Sequence, residues 1–340
     1  MSSLLEGVLL IPHVRVQNAN TISSPMTHGF PAMTAFLGFM WALNRKLAQE
    51  GIPLSLNKVG VVCHWHQELA QGSYVKTFNL TRNPVDKKGD TAAIVEEGRI
   101  HLDLTLVFEV QSMGEGSRLA DLDAVRLQEL AQRVTDHVQT LRIGGGSVLE
   151  SARNRVSRQC PSLYCWPQDL QEQQNLFRDI RRRCLPGFAL VSRDDLLQEH
   201  WAELKGDDPN ASLLDAWLDL SRFNYRSRET EEGQIRWEHD RSGWIVPIPV
   251  GYGALGALQA GGTVLNARDS ATPFRFVESV YSIGQWIGPH RLESPSDLLW
   301  YADFHEPSGA YLCRNDYCAP RQEPQSELSA LDESVFDWPL

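Results

Sequence analysis

The chain has 340 residues, 42% hydrophobic and 22% charged, with a formal net charge of −11. That length buries a full core in one large domain or two, and no apolar run reaches the roughly 20 residues a membrane helix needs. The negative total argues against a protein that grips nucleic acid alone over a broad surface, and the N-terminal MSSLLEGVLLIP lacks the basic region and cleavage site of a leader, so a soluble, cytoplasmic protein is expected.

In chain order, GVLLIPHVRV reads as a strand. It leads into the stretch around which the rest is organised, Gln17 to Lys46. Asn18, Asn20, Thr21, Ser23 and Ser24 are turn formers, whose side chains bond nearby backbone groups. Pro25, Gly29 and Pro31 punctuate the loop. Beyond them, Met33, Phe36, Leu37, Met40, Leu43 and Leu47 recur at helical spacing and predict an amphipathic helix. A polar loop this long is a candidate binding surface, with an ordinary surface crossover as the competing reading.

KVGVVCHWH and GSYVKTFNL are the next candidate strands. From Arg99 to Val110, polar Arg99, His101, Asp103 and Thr105 alternate with apolar Ile100, Leu102, Leu104 and Leu106, which predicts a strand with one wet and one dry face. The span between Phe78 and Arg99 reads as a projecting hairpin with Lys87, Lys88 and Gly89 near its tip. A helix is expected from about Leu119, burying Leu122, Val125, Leu130, Val134, Val138 and Leu141 and ending at Gly144–Gly146. A strand near Val148 follows. Residues 1–150 therefore fit a β-α-β-β-α-β, ferredoxin-like α+β plan, and antiparallel sheets of this kind can offer a face to nucleic acid.

Residues 151–240 read as a mainly helical subdomain: QDLQEQQNLFRDIRRRCL, DDLLQEHWAELK and SLLDAWLDLSRF, then RETEEGQIRWEHDR as a linker. Residues 241–320 return to the core through GWIVPIPV, a helix beginning near Pro273, and a second helix through Trp300 capped by Ser294. Residues 321–340 form an acidic tail. Charge is uneven: Arg142 to Arg193 holds nine arginines against Glu150, Asp169, Glu172 and Asp179. Arg178, Arg181, Arg182 and Arg183 crowd one helix end, where cations suit the dipole.

Motifs for chemistry are sparse. Gly251, Gly253 and Gly256 form G-x-G-x-x-G, yet Pro247 and Pro249 confine the preceding strand to an edge, and Gly261 and Gly262 leave little room for a helix. No Walker A loop, G-x-S-x-G elbow or H-E-x-x-H occurs. His64 and His66 are expected on one strand face, with no nameable third ligand for a metal. Cys160/Cys165 and Cys313/Cys318 share C-x4-C spacing, for which buried thiols are favoured over zinc. No cofactor or metal is expected. His28 is the best single candidate for a general base, and a ligand-contacting role is favoured for it.

Ordered blocks along the chain resemble one family: NANTISSPMTHGFPAMTAFLGFMWAL, FNLTRNP, TAAIVEEGR, GGGSVL, LPGFALVSR, WIVPIP, NARD-x-x-TPFRFVE and SPSDLLWY. It is the Csy-two (Cas-five-type) family of the type I-F CRISPR surveillance complex, also called the Csy or Cascade complex, and the resemblance runs from Val8 to about Tyr301. It implies an RRM-like, RAMP-type fold with a thumb-like hairpin and a helical insertion. It implies a non-catalytic subunit in antiviral defence that pairs with the large Csy-one (Cas-eight-type) protein and binds the 5′ repeat-derived handle of the CRISPR RNA. The neighbouring Csy-three (Cas-seven-type) backbone subunit, and target double-stranded DNA reached through the complex, are the further implied partners; no membrane is. RNA cleavage belongs to a separate Cas-six-type subunit.

Within that expectation Asn18, Asn20, Ser23, Ser24 and His28 are candidates to bond splayed bases and 2′-hydroxyls. Gly144, Gly145 and Gly146 would admit RNA close to the backbone. Arg82, Arg268 and Arg275 are candidates to pair phosphates or stack on bases, against structural salt bridges as the alternative. Two other classes of function stand beside this one. A metal-independent endoribonuclease processing precursor RNA would use His28 and Tyr74, and a purely structural bridge would touch no RNA.

Overall fold

The computed structural model describes residues 5–72, 75–79, 88–90, 97–114, 118–150, 159–223, 225–229, 233–239, 243–267 and 269–319. Its main elements are β1 (Gly7–Asn20), α1 (Met33–Gln49), β2 (Leu54–Glu68), β3 (Arg99–Ser112), α2 (Ala124–Val138), β4 (Arg142–Ile143), β5 (Gly146–Val148) and β6 (Ser162–Cys165). There follow α3 (Leu170–Arg183), β7 (Phe188–Ser192), α4 (Asp194–Asp207), α5 (Leu213–Ser221), β8 (Trp244–Ala254), β9 (Val277–Ile287), α6 (Pro295–Leu298), β10 (Trp300–His305) and β11 (Ala310–Asn315). The class is α+β, and the eleven strands form one antiparallel sheet. No described helix is long and apolar enough to cross a membrane.

At the centre the strands lie in the order β5-β1-β3-β2. Alternation along β3 separates two faces. Ile100, Leu102, Leu104 and Leu106 join the main core with α1, while Val107 on the opposite face joins Val8, Leu10 and Val62 beneath Phe177 and Ile180 of α3. The expected apolar stripe of α1 is buried throughout, with Phe39 added to it; each such side chain contributes about 1.5–3 kcal/mol. The helix stops where Gly51 takes a φ of +62°. Ile52 N–H then reaches Leu47 O and Gly51 N–H reaches Ala48 O, satisfying the last-turn carbonyls. Asn44 holds both backbone groups of Leu56 at 2.7 and 2.8 Å, anchoring β2 beside its first bulge.

Beyond β2 the pairing runs through β10, β11, β8 and β9 to β7, which bonds back to β2. Six strands thus close a ring, removing the edge that β2 would otherwise present. Trp300, wholly buried, ties β10 to β7 by donating its indole N–H to Leu190 O at 2.8 Å. Pro247 and Pro249 pair only with β9, and β8 gains β11 as a second neighbour at Gly251 and Tyr252. The prolines sit where a missing donor costs nothing. A Cβ on Gly251 would lie 2.0 Å from Tyr311 O, so that glycine serves close strand approach. The G-x-G-x-x-G thus continues an antiparallel strand and opens no helix among the described residues.

Several expectations are corrected. α2 begins at Ala124, because Asp123 caps it by accepting Arg126 N–H at 2.8 Å, and Val125 is left exposed on its outer side. Gly144–Gly146 is no helix end: Gly144 and Gly145, at φ +55° and +81°, turn the β4–β5 hairpin. The helix expected near Pro273 is instead β9, whose β-branched and aromatic residues pair with both β8 and β7. The α6 helix ends at Leu298, after a capping box between Ser294 and Asp297, and Trp300 opens a strand. Part of the expected linker pairs as a hairpin, Tyr225–Glu229 with Ile235–His239. Among the described residues of GSYVKTFNL, Thr77–Phe78 pairs with Ala70–Gln71. Most of the projecting hairpin between Phe78 and Arg99 lies outside the described residues.

Candidate functional site

The crossover after β1 is held by its own polar groups. Asn20 closes a turn on Ile22, accepting its N–H and donating to its carbonyl. Ser24 Oγ accepts the N–H groups of Met26 and Thr27, and Thr27 Oγ1 lies 2.8 and 2.6 Å from the hydroxyls of Ser23 and Ser24. These bonds fold Ile22–Ser24 against Thr27–His28. Backbone bonds from Thr21 to Gly98, Gly29 to Thr21 and Asn20 to Gly144 then clamp the crossover between the start of β3 and the glycine turn.

Between these parts lies a cleft of about 690 Å³. Asn20 and Ser23 form one wall, Pro31 to Ala35 at the start of α1 another, and Gly144 with Gly145 a third. Glu97 and Arg99 come from the edge of β3, and Tyr252 and Tyr311 from the ring. Ala32, which precedes α1, gives its first turn no side-chain cap. The start of α1 therefore brings the positive end of its dipole to the cleft, an arrangement suited to phosphate or carboxylate. Arg99 is the guanidinium of the wall and is itself ion-paired with Glu97. Burial raises the Tyr311 phenol above its ordinary value of 10, so it remains a donor at neutral pH. The cleft can hold an extended polar chain through many neutral contacts and few charged ones.

Of the candidates read from the sequence, Asn20, Ser23, Gly144 and Gly145 meet in this cleft. Asn18 sits at a β1 bulge with φ +59°, its N–H donated to His101 Nδ1 at 3.1 Å. Ser24 belongs to the turn. His28 is drawn to the other side, 3.1 Å from Glu68 Oε1 and 5.2 Å from the Phe78 ring. Gly146 is buried where a Cβ would strike Ala19 N and Gln17 O at 2.7 Å, so its part is packing β5 on β1. Arg275 does not line the cleft; it packs beside Gly309, with its Nε buried and unpaired. Arg82, Arg268 and Tyr74 lie outside the described residues. Thr34, Arg99, Tyr252 and Tyr311 were missed. Tyr252 stood in plain view between Gly251 and Gly253, an aromatic residue flanked by glycines.

His64 and His66 do not share a face. A bulge between Cys63 and Trp65 shifts the register, so His66 pairs opposite buried Leu102 while His64 reaches Thr105 on the other side. His64 stacks on His13 at 4.4 Å, donates from Nδ1 to Pro186 O and accepts from Thr105 at Nε2. Both bonds suit the neutral ring, and burial lowers its pKa from 6.5, with the Pro186 bond opposing. Burial pushes the Cys63, Cys184 and Cys313 thiols up to about 12, so they are protonated apolar fillers.

The arginines of α3 are committed internally. Arg181 donates to the carbonyls of His290 and Leu292 and lies over the Phe177 ring. Arg182 pairs with Asp179, and Arg183 reaches Ser162, Tyr164 and the Cys160 carbonyl.

Fold and cleft together define an α+β protein with an open groove where the β1–α1 crossover meets a closed sheet. A family model described as CRISPR-associated protein (Cas_Csy2) matches residues 9–313. The chain is 42% identical over 316 residues to the CRISPR-associated protein Csy2 of Pseudomonas aeruginosa (strain UCBPP-PA14), covering 90% of this chain and 94% of that protein. The chain belongs to the Csy2 family of CRISPR-associated proteins.

Proposed function

We propose that this protein is a non-catalytic subunit of a type I-F Csy surveillance complex, and that its crossover cleft holds the 5′ repeat-derived handle of the CRISPR RNA. The observation that carries the reading is the convergence of Asn20, Ser23, Gly144, Gly145 and Arg99 with the uncapped start of α1 around one open cleft. Single-stranded RNA is recognised through splayed bases, 2′-hydroxyls and phosphates, which such a groove can meet with backbone donors, hydroxyls and one guanidinium. The strand order β5-β1-β3-β2, with α1 and α2 after the first and third of the long strands, supports a ferredoxin-like, RAMP-type core. Pairing with the large Csy-one subunit, contact with the Csy-three backbone and a share in target DNA binding follow from the family in the same way.

Co-expression with the large subunit and a CRISPR RNA whose handle is scrambled tests the proposal. Assembly that depends on the native handle is expected; equal assembly with both RNAs rejects handle recognition. The endoribonuclease reading is disfavoured by the position of His28, which lines a second cavity and not the cleft. Incubation of the pure chain with repeat RNA is expected to leave that RNA uncut.

A further inference from the structure

A second cavity, of about 270 Å³, lies on the far side of the crossover from the polar cleft. The two share Ser23, Pro31 and Ala32 as a common wall. Its lining is of another kind: Phe30, Trp65, Phe188, Trp244 and Trp286, with Pro247 beside them. Phe30 meets Trp286 edge-on at 4.8 Å, Phe188 meets Trp244 edge-on at 5.4 Å, and the two tryptophans lie 6.1 Å apart. These contacts fix the ring planes. Trp65 and Trp244 are nonetheless 49% and 44% exposed, large apolar surfaces left in water at one opening. The indole N–H groups of Trp65, Trp244 and Trp286 have no hydrogen-bond partner among the described residues, and His28, His66 and Glu68 add polar edges to the lining.

We infer that this pocket takes one splayed nucleobase of a single-stranded RNA whose sugar–phosphate chain lies in the adjoining cleft. The inference rests on the handle-binding reading above and gives it a specific subsite. The volume is below the roughly 300–1,000 Å³ of sites for larger ligands, as suits a single planar ring system. Fixed aromatic walls with a few polar groups at the edge are the chemistry by which unstacked bases are held. Because Ser23, Pro31 and Ala32 line both cavities, a nucleotide can keep its phosphate by the start of α1 and turn its base across Pro31. An aromatic side chain from a partner protein would also fill the apolar walls, but it would cover the polar edge of His66 without satisfying it, His28 and Glu68 being already paired with each other.

A cycle between protein and RNA tests this. The full chain, co-expressed with the large subunit, is titrated with handle RNAs that each carry one abasic position, and the series is repeated with Trp244→Ala and Trp244→Phe. One abasic position is expected to weaken binding about tenfold with the wild type and with Trp244→Phe. The same position is expected to cost less than about twofold with Trp244→Ala, since ring and base are then already parted. If Trp244→Ala does not fold, Trp65→Ala takes its place at the other side of the opening. Equal sensitivity to every abasic position in all proteins overturns the inference and leaves handle recognition standing. Unchanged RNA affinity with weakened co-purification of the large subunit assigns the pocket to a protein side chain and also overturns it. Binding of scrambled and native handles with equal affinity by the wild type fails the underlying reading itself.

Discussion

The C-terminal end of α3 and the crossover cleft invert what charge alone suggests. α3 carries Arg178, Arg181, Arg182 and Arg183 within two turns, yet the last three are bonded to carbonyls, hydroxyls or Asp179 of this same chain. Among the described residues the cleft has one arginine in its wall, paired with Glu97, beside the Asn20 amide, two hydroxyls, two tyrosines, glycine backbone and the apolar Ile22, Pro31, Ala32 and Ala35. In the first region Arg181 and Arg183 hold the fold while Arg182 makes an exposed pair one turn back; the second region keeps mostly neutral groups facing open space. Density of arginine is thus a poor guide to a binding surface, and what each guanidinium already touches is the better one.

The contrast can be broken most forcefully at Arg183. Arg183→Ala removes the donor from Ser162, Tyr164 and the Cys160 carbonyl, and is expected to cost about 3 kcal/mol in urea unfolding. RNA affinity of the folded protein should stay within about twofold; a tenfold loss there with unchanged stability would reverse the assignment of the two regions. Arg99→Ala is the mirror case. It should weaken handle RNA binding by about tenfold, roughly 1.4 kcal/mol, and leave the unfolding midpoint nearly in place.

Two neighbouring glycines sharpen the comparison inside the cleft. Gly146→Ala drives a Cβ into Ala19 N and Gln17 O, so its effect should fall on stability. Gly145→Ala has open space around the new Cβ but keeps a φ of +81°. It is expected to cost about 1 kcal/mol in folding and to lower RNA affinity a few-fold, measured by unfolding and by RNA titration of the same samples.

The smallest expected effect is one of pH. His64 joins the turn after α3 to the sheet and is held neutral, its folded pKa below 6.5 because of burial. The unfolded chain binds that proton more readily, so stability is full above pH 6.5 and declines as pH falls from there toward the depressed folded value. His64→Gln should flatten that slope in unfolding midpoints taken across this range.

Local pattern carried much of the architecture. The stripe of α1, the alternation of β3, the helical segments α3 and α5, the Ser294 cap of α6, and the edge character of Pro247 and Pro249 are all short-range rules of period, cap and missing donor, and each was legible. What misled was local too. Val125 fits a helical stripe, but Asp123 caps the helix so late that Val125 turns outward. The glycines after α2 resemble a helix stop, but their positive φ angles serve a hairpin that only exists because β5 finds β1.

The site divides along the same line. The polar crossover announced itself through turn-forming side chains, and the family blocks were readable in order along the chain. That the crossover would face Arg99, Tyr252 and Tyr311 was decided by pairing: Tyr252 and Tyr311 come from strands that reach the cleft only because six strands close into a ring through β2. The parting of His64 from His66 by one bulge, and the engagement of Arg181 by carbonyls more than a hundred residues away, are likewise invisible to spacing. Sequence period reports which way a residue faces within its own element. Which groups it meets depends on register and closure, and these are settled by contacts distant in the chain.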